Sequence, residues 1–425
     1  MKIKIKNCSY GEVMAKPVAS HFFPRKPGII FRALTYLAGL SELKKAEFEH
    51  TETGMERLGK KQPCLYLMNH SSFIDLKIAA HILFHKPFQI VCTQDGFIGK
   101  LWLMKRLGCI PKKKFVPEPS LIRDMIYAFQ KLRTSVLMYP EASYSFDGTG
   151  TPLPDSLGRC LKLLNVPVAT ITTQGAFSYD PLYNGLQKRK VKISANTKYL
   201  LSPEEIKEKS ADELNEILRN EFNLDYFKWQ QKNKVSVSEP FRVDHLERVL
   251  YKCPACGCEG ETEGKGTELT CRNCGHKWTL DEYGYLKCTT GEDYFTHIPE
   301  WYAWERECVK KEIESGDYRM ECDVDICIMA DYKRLYRVGS GKLTHTSEGF
   351  SLTGCDGQLN YTQPPIASYS LYADYYWYEI GDMICIGDAK YLYYCFPKNK
   401  FIPVAKARIA AEELYKKAKN SAGKQ

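Results

Sequence analysis

Leu65-Tyr66-Leu67-Met68-Asn69-His70-Ser71-Ser72-Phe73-Ile74-Asp75 is an apolar run that stops at a polar turn, with a histidine in the turn and an aspartate five residues further on. The run reads as a strand and Phe73 to Phe84 as the helix after it. Where a strand turns into a helix, an aspartate at this spacing can fold back and accept a hydrogen bond from one ring nitrogen. The other nitrogen is then free to take a proton. His70 is therefore a candidate general base, and Asp75 the group that fixes its tautomer and stabilises the imidazolium. Asn69 and Ser71 stand where polar groups cap the helix or line the site.

Around this stretch, short apolar runs alternate with helical patterns. Cys64 to Met68, Phe88 to Cys92, Ser135 to Tyr139, Val166 to Thr172 and Val191 to Ala195 read as strands. Phe73 to Phe84, Gly99 to Leu107, Leu121 to Leu132 and Ser156 to Leu164 read as helices. The class expected is α/β, a mixed sheet flanked by helices and buried on both faces. Ser202-Pro203-Glu204-Glu205 opens a further helix to Glu221, with a cap, a proline in the first turn and early acids. Residues 46–245 make one domain.

The 425 residues, 44% of them apolar, allow two or three domains with real cores. Sixty basic against 51 acidic side chains give a formal charge of +9, which favours anionic partners without choosing among them. Seventeen cysteines without an apolar leader after Met1-Lys2-Ile3-Lys4-Ile5-Lys6 suggest a reducing, cytoplasmic compartment. No window reaches the roughly 18 apolar residues of a spanning helix, since Pro27 to Leu40 carries Arg32. Within residues 1–45, basic residues precede a short helix with Ile30, Phe31, Leu34 and Leu37 at helical spacing. That suits an anionic membrane surface, placing the protein peripherally on the inner face of a membrane; packing on its own domain is the other reading.

Three later blocks stand at the ends of later strands. Asn69-His70-Ser71-Ser72-Phe73-Ile74-Asp75 resembles the Asn-His-x4-Asp block of the 1-acylglycerol-3-phosphate acyltransferase family of glycerolipid acyltransferases. Leu107-Gly108-Cys109-Ile110-Pro111-Lys112-Lys113-Lys114 resembles its second block, Met138-Tyr139-Pro140-Glu141-Ala142-Ser143-Tyr144-Ser145 its third and Val166-Pro167-Val168-Ala169 its fourth. The resemblance implies transfer of a fatty acyl group from a thioester, on coenzyme A or acyl carrier protein, to the hydroxyl of a lysophospholipid. The acceptor implied is 1-acylglycerol-3-phosphate or a related lipid, with His70 as base and no acyl-enzyme. It also implies that Glu141, with Ser143 and Tyr144 beside it, lies against the acceptor. The family's Gly and Arg in the third block are here Ala142 and Tyr144, and its second-block Arg is Lys114. A tyrosine cannot make the charged, bidentate contact of a guanidinium, so a phosphate would fall to Lys112, Lys113 and Lys114 as point charges. The alternative is a lipid-binding or scaffold protein that keeps the fold without turnover.

Cys253-Pro254-Ala255-Cys256 and Cys271-Arg272-Asn273-Cys274 are two Cys-x2-Cys knuckles, the spacing of a four-sulfur zinc ribbon. Such a site is closed, so the zinc is structural. Gly257 and Gly275 follow the knuckles to allow tight turns, and Cys258 and His276 are poorer-spaced substitutes. Ribbons also serve nucleic-acid binding, but four glutamates against one lysine between Glu259 and Glu268 make a poor face for phosphates. The ribbon takes residues 246–296. Residues 297–425 give a helix over His297 to Ser315 and then tyrosine-rich strands near Asp323 to Met329, Phe350 to Leu352, Ile366 to Leu371, Tyr375 to Tyr378, Met383 to Gly387 and Tyr391 to Phe396. A helix from Val404 to Lys419 and a basic tail from Lys416 to Gln425 close the chain. That element order resembles a pleckstrin-homology domain, with a protein partner unidentified.

Overall fold

The run Leu65–Met68 becomes the middle strand of a seven-stranded sheet. The computed structural model describes residues 3–17, 19–398 and 404–422. In it, β1 (Ile5–Asn7) belongs to another sheet. This one is built from β2 (Glu49–Thr53), β3 (Leu65–Met68), β4 (Phe88–Thr93), β5 (Cys109–Lys112), β6 (Ser135–Met138), β7 (Val168–Gln174) and β8 (Ser194–Leu201). The order is β2-β8-β7-β3-β6-β4-β5, and every neighbouring pair is parallel except β7 with β8. The sheet is thus mixed.

Strand β3 feeds two cores. Tyr66 and Met68 pack with Ile74 and Ile78 on one face, while Leu65 and Leu67 pack with Val136 and Leu161 on the other. Burying each such side chain contributes about 1.5–3 kcal/mol, which is why the strand is apolar throughout and does not alternate. Because β3, β5, β6 and β7 run the same way, their carboxyl ends lie along one edge. The turns carrying His70, Lys114 and Glu141 therefore meet there.

Several elements differ from expectation. Cys109–Lys112 is a strand, paired at its end with Thr93. The strand expected from Val191 starts at Ser194. Pro203 to Glu221 is two helices, Pro203–Glu208 and Ala211–Glu221, because Ser210 caps the second with Glu213 just as Ser202 caps the first with Glu205. The helix expected to Leu132 ends at Tyr127 and continues as a wider π turn over Ala128–Leu132.

After this sheet come four antiparallel strands, β9 (Thr262–Lys265), β10 (Glu268–Cys271), β11 (Lys277–Leu280) and β12 (Leu286–Cys288). The last sheet holds β13 (Arg319–Ile328), β14 (Leu335–Thr346), β15 (Gly349–Gly354), β16 (Leu359–Gln363), β17 (Tyr372–Trp377), β18 (Gly381–Gly387) and β19 (Leu392–Pro397), in the order β16-β15-β14-β13-β19-β18-β17. The helix Val404–Ala422 packs against it. The strand expected at Ile366–Leu371 is instead a 3-10 turn, Pro365–Ala367, since two prolines precede it and neither offers a ladder N–H. The basic tail from Lys416 is helical to Ala422, and residues 423–425 lie outside the described residues.

The segment read as 1–45 is divided. β1 pairs parallel with β14, Ile5 opposite Leu335, so the first described strand lies on the carboxyl-terminal sheet. The helix Ile29–Lys45 packs on the helix Asp75–Ile82, where Lys77 meets Glu42 at 2.5 Å. Its apolar stripe faces outward: Ile30, Leu34 and Leu37 are 68%, 56% and 59% exposed.

Candidate active site

The fold-back expected of Asp75 is present. His70 Nδ1 lies 3.0 Å from Asp75 Oδ2, and the same oxygen accepts from the backbone N–H groups of Ser71 (2.7 Å) and Ser72 (3.0 Å). Three donors on one oxygen lock the carboxylate under the turn. Asp75 is fully buried, and that burial lifts its pKa to about 7 against the opposing pull of the two amides. Burial, helped by the positive charge of Lys114, holds the His70 pKa well below its ordinary value. The ring is neutral near pH 7. With its Nδ1 proton pointing at Asp75, Nε2 presents a lone pair and meets no hydrogen-bond partner among the described residues. The imidazole lies between two tyrosine rings, Tyr139 at 4.0 Å and Tyr144 at 3.8 Å, and keeps 14% of its side-chain surface exposed. This geometry suits proton removal from a hydroxyl that approaches Nε2.

The residues named with the pair fall into two groups. Asn69 braces the turn: its Nδ2 donates to Ser71 Oγ (2.9 Å) and Thr173 Oγ1 (3.0 Å), and its Oδ1 accepts from Thr173 N (2.8 Å). Both carboxylate oxygens of Glu141 accept from the backbone, Oε2 from His70 N at 2.6 Å and Oε1 from Thr151 N at 2.8 Å. Glu141 therefore holds the His70 turn, where the sequence suggested contact with an acceptor. Burial lifts its pKa to about 7. The Ser143 hydroxyl is buried and reaches only its neighbour's carbonyl, Tyr144 O, at 3.4 Å.

The three lysines part company. Lys112 donates to the carbonyls of Lys113 and Val116 and to Glu118, closing its own loop. Lys113 reaches across to the carbonyl of Ala389 in the turn between β18 and β19. Only Lys114 turns to the site. Its Nζ lies 5.7 Å from the Tyr144 ring centroid and 4.2 Å from that of Tyr372.

Tyr139, Tyr372 and Arg408 were not singled out in the sequence. Arg408 is buried, donates from Nη1 to Tyr144 O at 3.0 Å and pairs with Glu412 at 3.3 Å, so the last helix holds the Tyr144 turn. Tyr372 and Trp377 both donate to buried Asp95, at 2.7 and 3.1 Å, fastening the last sheet to the loop after β4. Only Tyr139 had a signal, being in the third block.

Ala142 explains the glycine that the family resemblance leads one to expect there. Its φ is +54°, a conformation that costs a residue with a Cβ about 1–2 kcal/mol. Ala142→Gly should accordingly stabilise the protein by about 1 kcal/mol, seen as a higher denaturant midpoint with unchanged slope. A lower midpoint would mean that the methyl is held by packing.

Away from this edge, the sulfurs of Cys253, Cys256, Cys271 and Cys274 all lie within 4.8 Å of one another. Cys253 Sγ is 3.7 Å from Cys274 Sγ, as is Cys256 Sγ from Cys271 Sγ. A tetrahedral ion with metal–sulfur bonds of about 2.3 Å requires sulfurs about 3.8 Å apart, so the four residues fit zinc. His276 Nδ1 lies 3.4 Å from Cys274 Sγ, beside the cluster and not within it. Gly257 and Gly275 have φ of +73° and +78°, as the knuckle turns require.

Residues 49–174 match the family model described as Acyltransferase. A chloroplastic 1-acyl-sn-glycerol-3-phosphate acyltransferase of Brassica napus is 26% identical over 132 residues, 30% of this chain. The chain spans 38% of that relative's length. The crystal structure of a 1-acyl-sn-glycerophosphate acyltransferase, PlsC, from Thermotoga maritima superposes with a TM-score of 0.35 and 14% identity, over 46% of this chain and 81% of that one. The matched segment holds His70, Asp75, Lys114, Glu141 and Tyr144, and ends before the four cysteines.

Proposed function

We propose that this protein is an O-acyltransferase that moves a fatty acyl group from acyl-CoA or acyl carrier protein to the hydroxyl of a lysophospholipid, 1-acylglycerol-3-phosphate or a relative of it. The observation that carries the reading is the His70–Asp75 pair, with Nε2 open to a hydroxyl. His70 takes that proton as the oxygen attacks the thioester carbonyl. The carbon–sulfur bond breaks, and the thiolate leaves with little acid assistance because its pKa is about 8.5. Asp75 holds the imidazolium, and Glu141 and Asn69 hold the turn. Lys114 is the cation available to an acceptor phosphate. Incubating the protein with acyl-CoA and a panel of lyso-lipids tests this, with His70→Ala beside it. Equal silence from both proteins on every donor and acceptor removes the enzyme and leaves a lipid-binding scaffold.

The same reading includes a structural zinc in the four-cysteine ribbon, a pleckstrin-homology-like carboxyl-terminal domain and docking on an anionic membrane surface. Among the described residues, no helix is long and apolar enough to cross a membrane. Ile30, Leu34 and Leu37 are exposed on one stripe, after the exposed bases Arg25 and Lys26, and Phe73 and Leu76 are exposed beside the His70 turn. Each buried side chain would add about 1.5–3 kcal/mol to bilayer binding and each base about 1 kcal/mol. Ile30→Asp with Leu34→Asp should weaken sedimentation with anionic vesicles at least about tenfold, and added salt should weaken the wild type. Unchanged binding in the double variant would put the membrane contact elsewhere.

A further inference from the structure

A cavity of about 380 Å³ lies where the domain of the seven-stranded sheet meets the carboxyl-terminal sheet. Small-molecule sites are typically about 300–1,000 Å³, so this one is large enough for a ligand. One wall is the loop from Lys114 to Pro117, and the other comes from β16 to β19 and the turns between them. Its apolar lining includes Phe115, Val116, Leu371, Ile386 and Leu392. The polar side chains of the wall are largely spent on the protein itself. Gln363 Oε1 accepts from Gly387 N at 2.9 Å, Ser370 donates to Glu412 at 2.7 Å, and Asp388 Oδ1 accepts from the amides of Lys390 and Tyr391 at 2.7 and 2.9 Å. What this leaves for a ligand is apolar surface, the Lys114 ammonium and the exposed carboxylate of Asp388, whose charge acts on neighbouring Lys113.

Two aromatic rings flank the ammonium, and among the described residues no hydrogen bond or ion pair closes on it. Lys114 lines the cavity and also lies against Tyr144, whose ring in turn packs on the His70 ring. The cavity and the proton-accepting edge therefore share one cation. A charge at one end and a greasy chamber beyond it fit an amphiphile with an anionic head.

We propose that this cavity receives the fatty acyl chain of an anionic amphiphile, which makes the carboxyl-terminal sheet part of the substrate site and a measure of chain length. The inference rests on the acyl-transfer reading for which amphiphile is meant, since a thioester donor and a lysophospholipid acceptor are both anionic and both carry such a chain. The sheet is placed to do this by its fastening at Asp95 and by Arg408. An appended domain would then set the specificity of the domain it covers.

The test reads binding, not turnover. Ala367 and Ala389 line the cavity from exposed turns, so a larger side chain can enter without disturbing a core. Ala367→Trp and Ala389→Trp are made separately in the full chain, with unchanged Tm as the check on folding. Nitroxide-labelled palmitoyl and octanoyl probes are titrated, each as a CoA thioester and as a lysophosphatidate. Each buried methylene is worth about 0.8 kcal/mol, so both variants should lower the palmitoyl-over-octanoyl preference about tenfold or more. The probe class that loses the preference names the source of the chain. A preference unchanged in both classes overturns the inference, whatever the activity. Altered preference in a protein that never turns over leaves the cavity assigned and sinks only the acyl-transfer reading.

Discussion

His70→Ala is expected to lower acyl transfer by about 10²–10⁴-fold while leaving the fold intact, because the ring's packing partners are two tyrosines that remain. Asp75→Asn should cost a similar factor for a different reason. An asparagine oxygen can still accept from Ser71 and Ser72, but it has no charge with which to hold an imidazolium. The wild-type rate should also depend on pH in a defined direction. Burial pushes the Asp75 pKa up to about 7, so the carboxyl is neutral below that and ionised above it. His70 stays neutral throughout because its own pKa is held well below the usual value. Activity should therefore rise as pH passes through about 7, and the rise belongs to Asp75 or to Glu141, which burial places in the same range.

Stability separates these two. A carboxyl whose folded pKa is raised contributes stability that is fully present below its unfolded pKa, near 4, and is lost as pH rises through about 7. Asp75→Asn removes that loss, so it should raise Tm relative to wild type more at pH 8 than at pH 5 while it lowers activity. A variant that is inactive and equally destabilised at both pH values would show that Asp75 is a structural cap and not the orienting group. If Asp75→Asn keeps the rise in its residual activity, Glu141 is the titrating group.

The legible parts of this chain are those where local pattern and tertiary role agree. β3, β4 and β6 are readable because a strand buried on both faces is a near-continuous apolar run, broken here by buried Gln89 and Ser135, and the blocks after β3 and β6 carry the site. β2, Glu-His-Thr-Glu-Thr, was not readable: it is an exposed edge strand with no apolar face. β14, the longest strand at 12 residues, was hidden because Gly339, Ser340 and Gly341 break its pattern where Gly341 crosses close to the carbonyl of Thr353. The second helix after β8 had a readable Ser-x-x-Glu start that matched the first, and its signal was available. In the site, residue types were legible and their direction was not. Nothing in three consecutive lysines says that Lys112 turns into its loop, Lys113 to another domain and Lys114 to the histidine. Arg408 lies 264 residues from the Tyr144 carbonyl it holds, a pairing only the folded chain reveals.

Removing zinc should destabilise the protein by several kcal/mol and lower activity, although the four-cysteine cluster has no contact with His70. The reason is a chain of contacts. Cys253 follows Lys252, whose N–H donates to buried Glu305 at 2.8 Å and whose carbonyl accepts from Trp301 Nε1 at 2.9 Å. Lys252 also pairs with Glu259 and Glu312, and Lys406 pairs with the same two acids. The ribbon thus bears on the helix Ile298–Ser315 and, through Lys406, on the last helix two residues before Arg408. Structural zinc sites bind with about 10–16 kcal/mol of apparent free energy, more than most domains have to spare. Metal analysis of natively purified protein should find close to one zinc per chain. Chelation should lower Tm by about 10 °C or more, and activity should fall with the loss of helix docking and return on adding zinc. Cys256→Ser should reproduce the chelated state without a chelator. Protein that holds no zinc after native purification, or that keeps its Tm and its activity under chelation, would mean that the ribbon closes without an ion and that the contacts from Lys252 to Arg408 do not transmit its state.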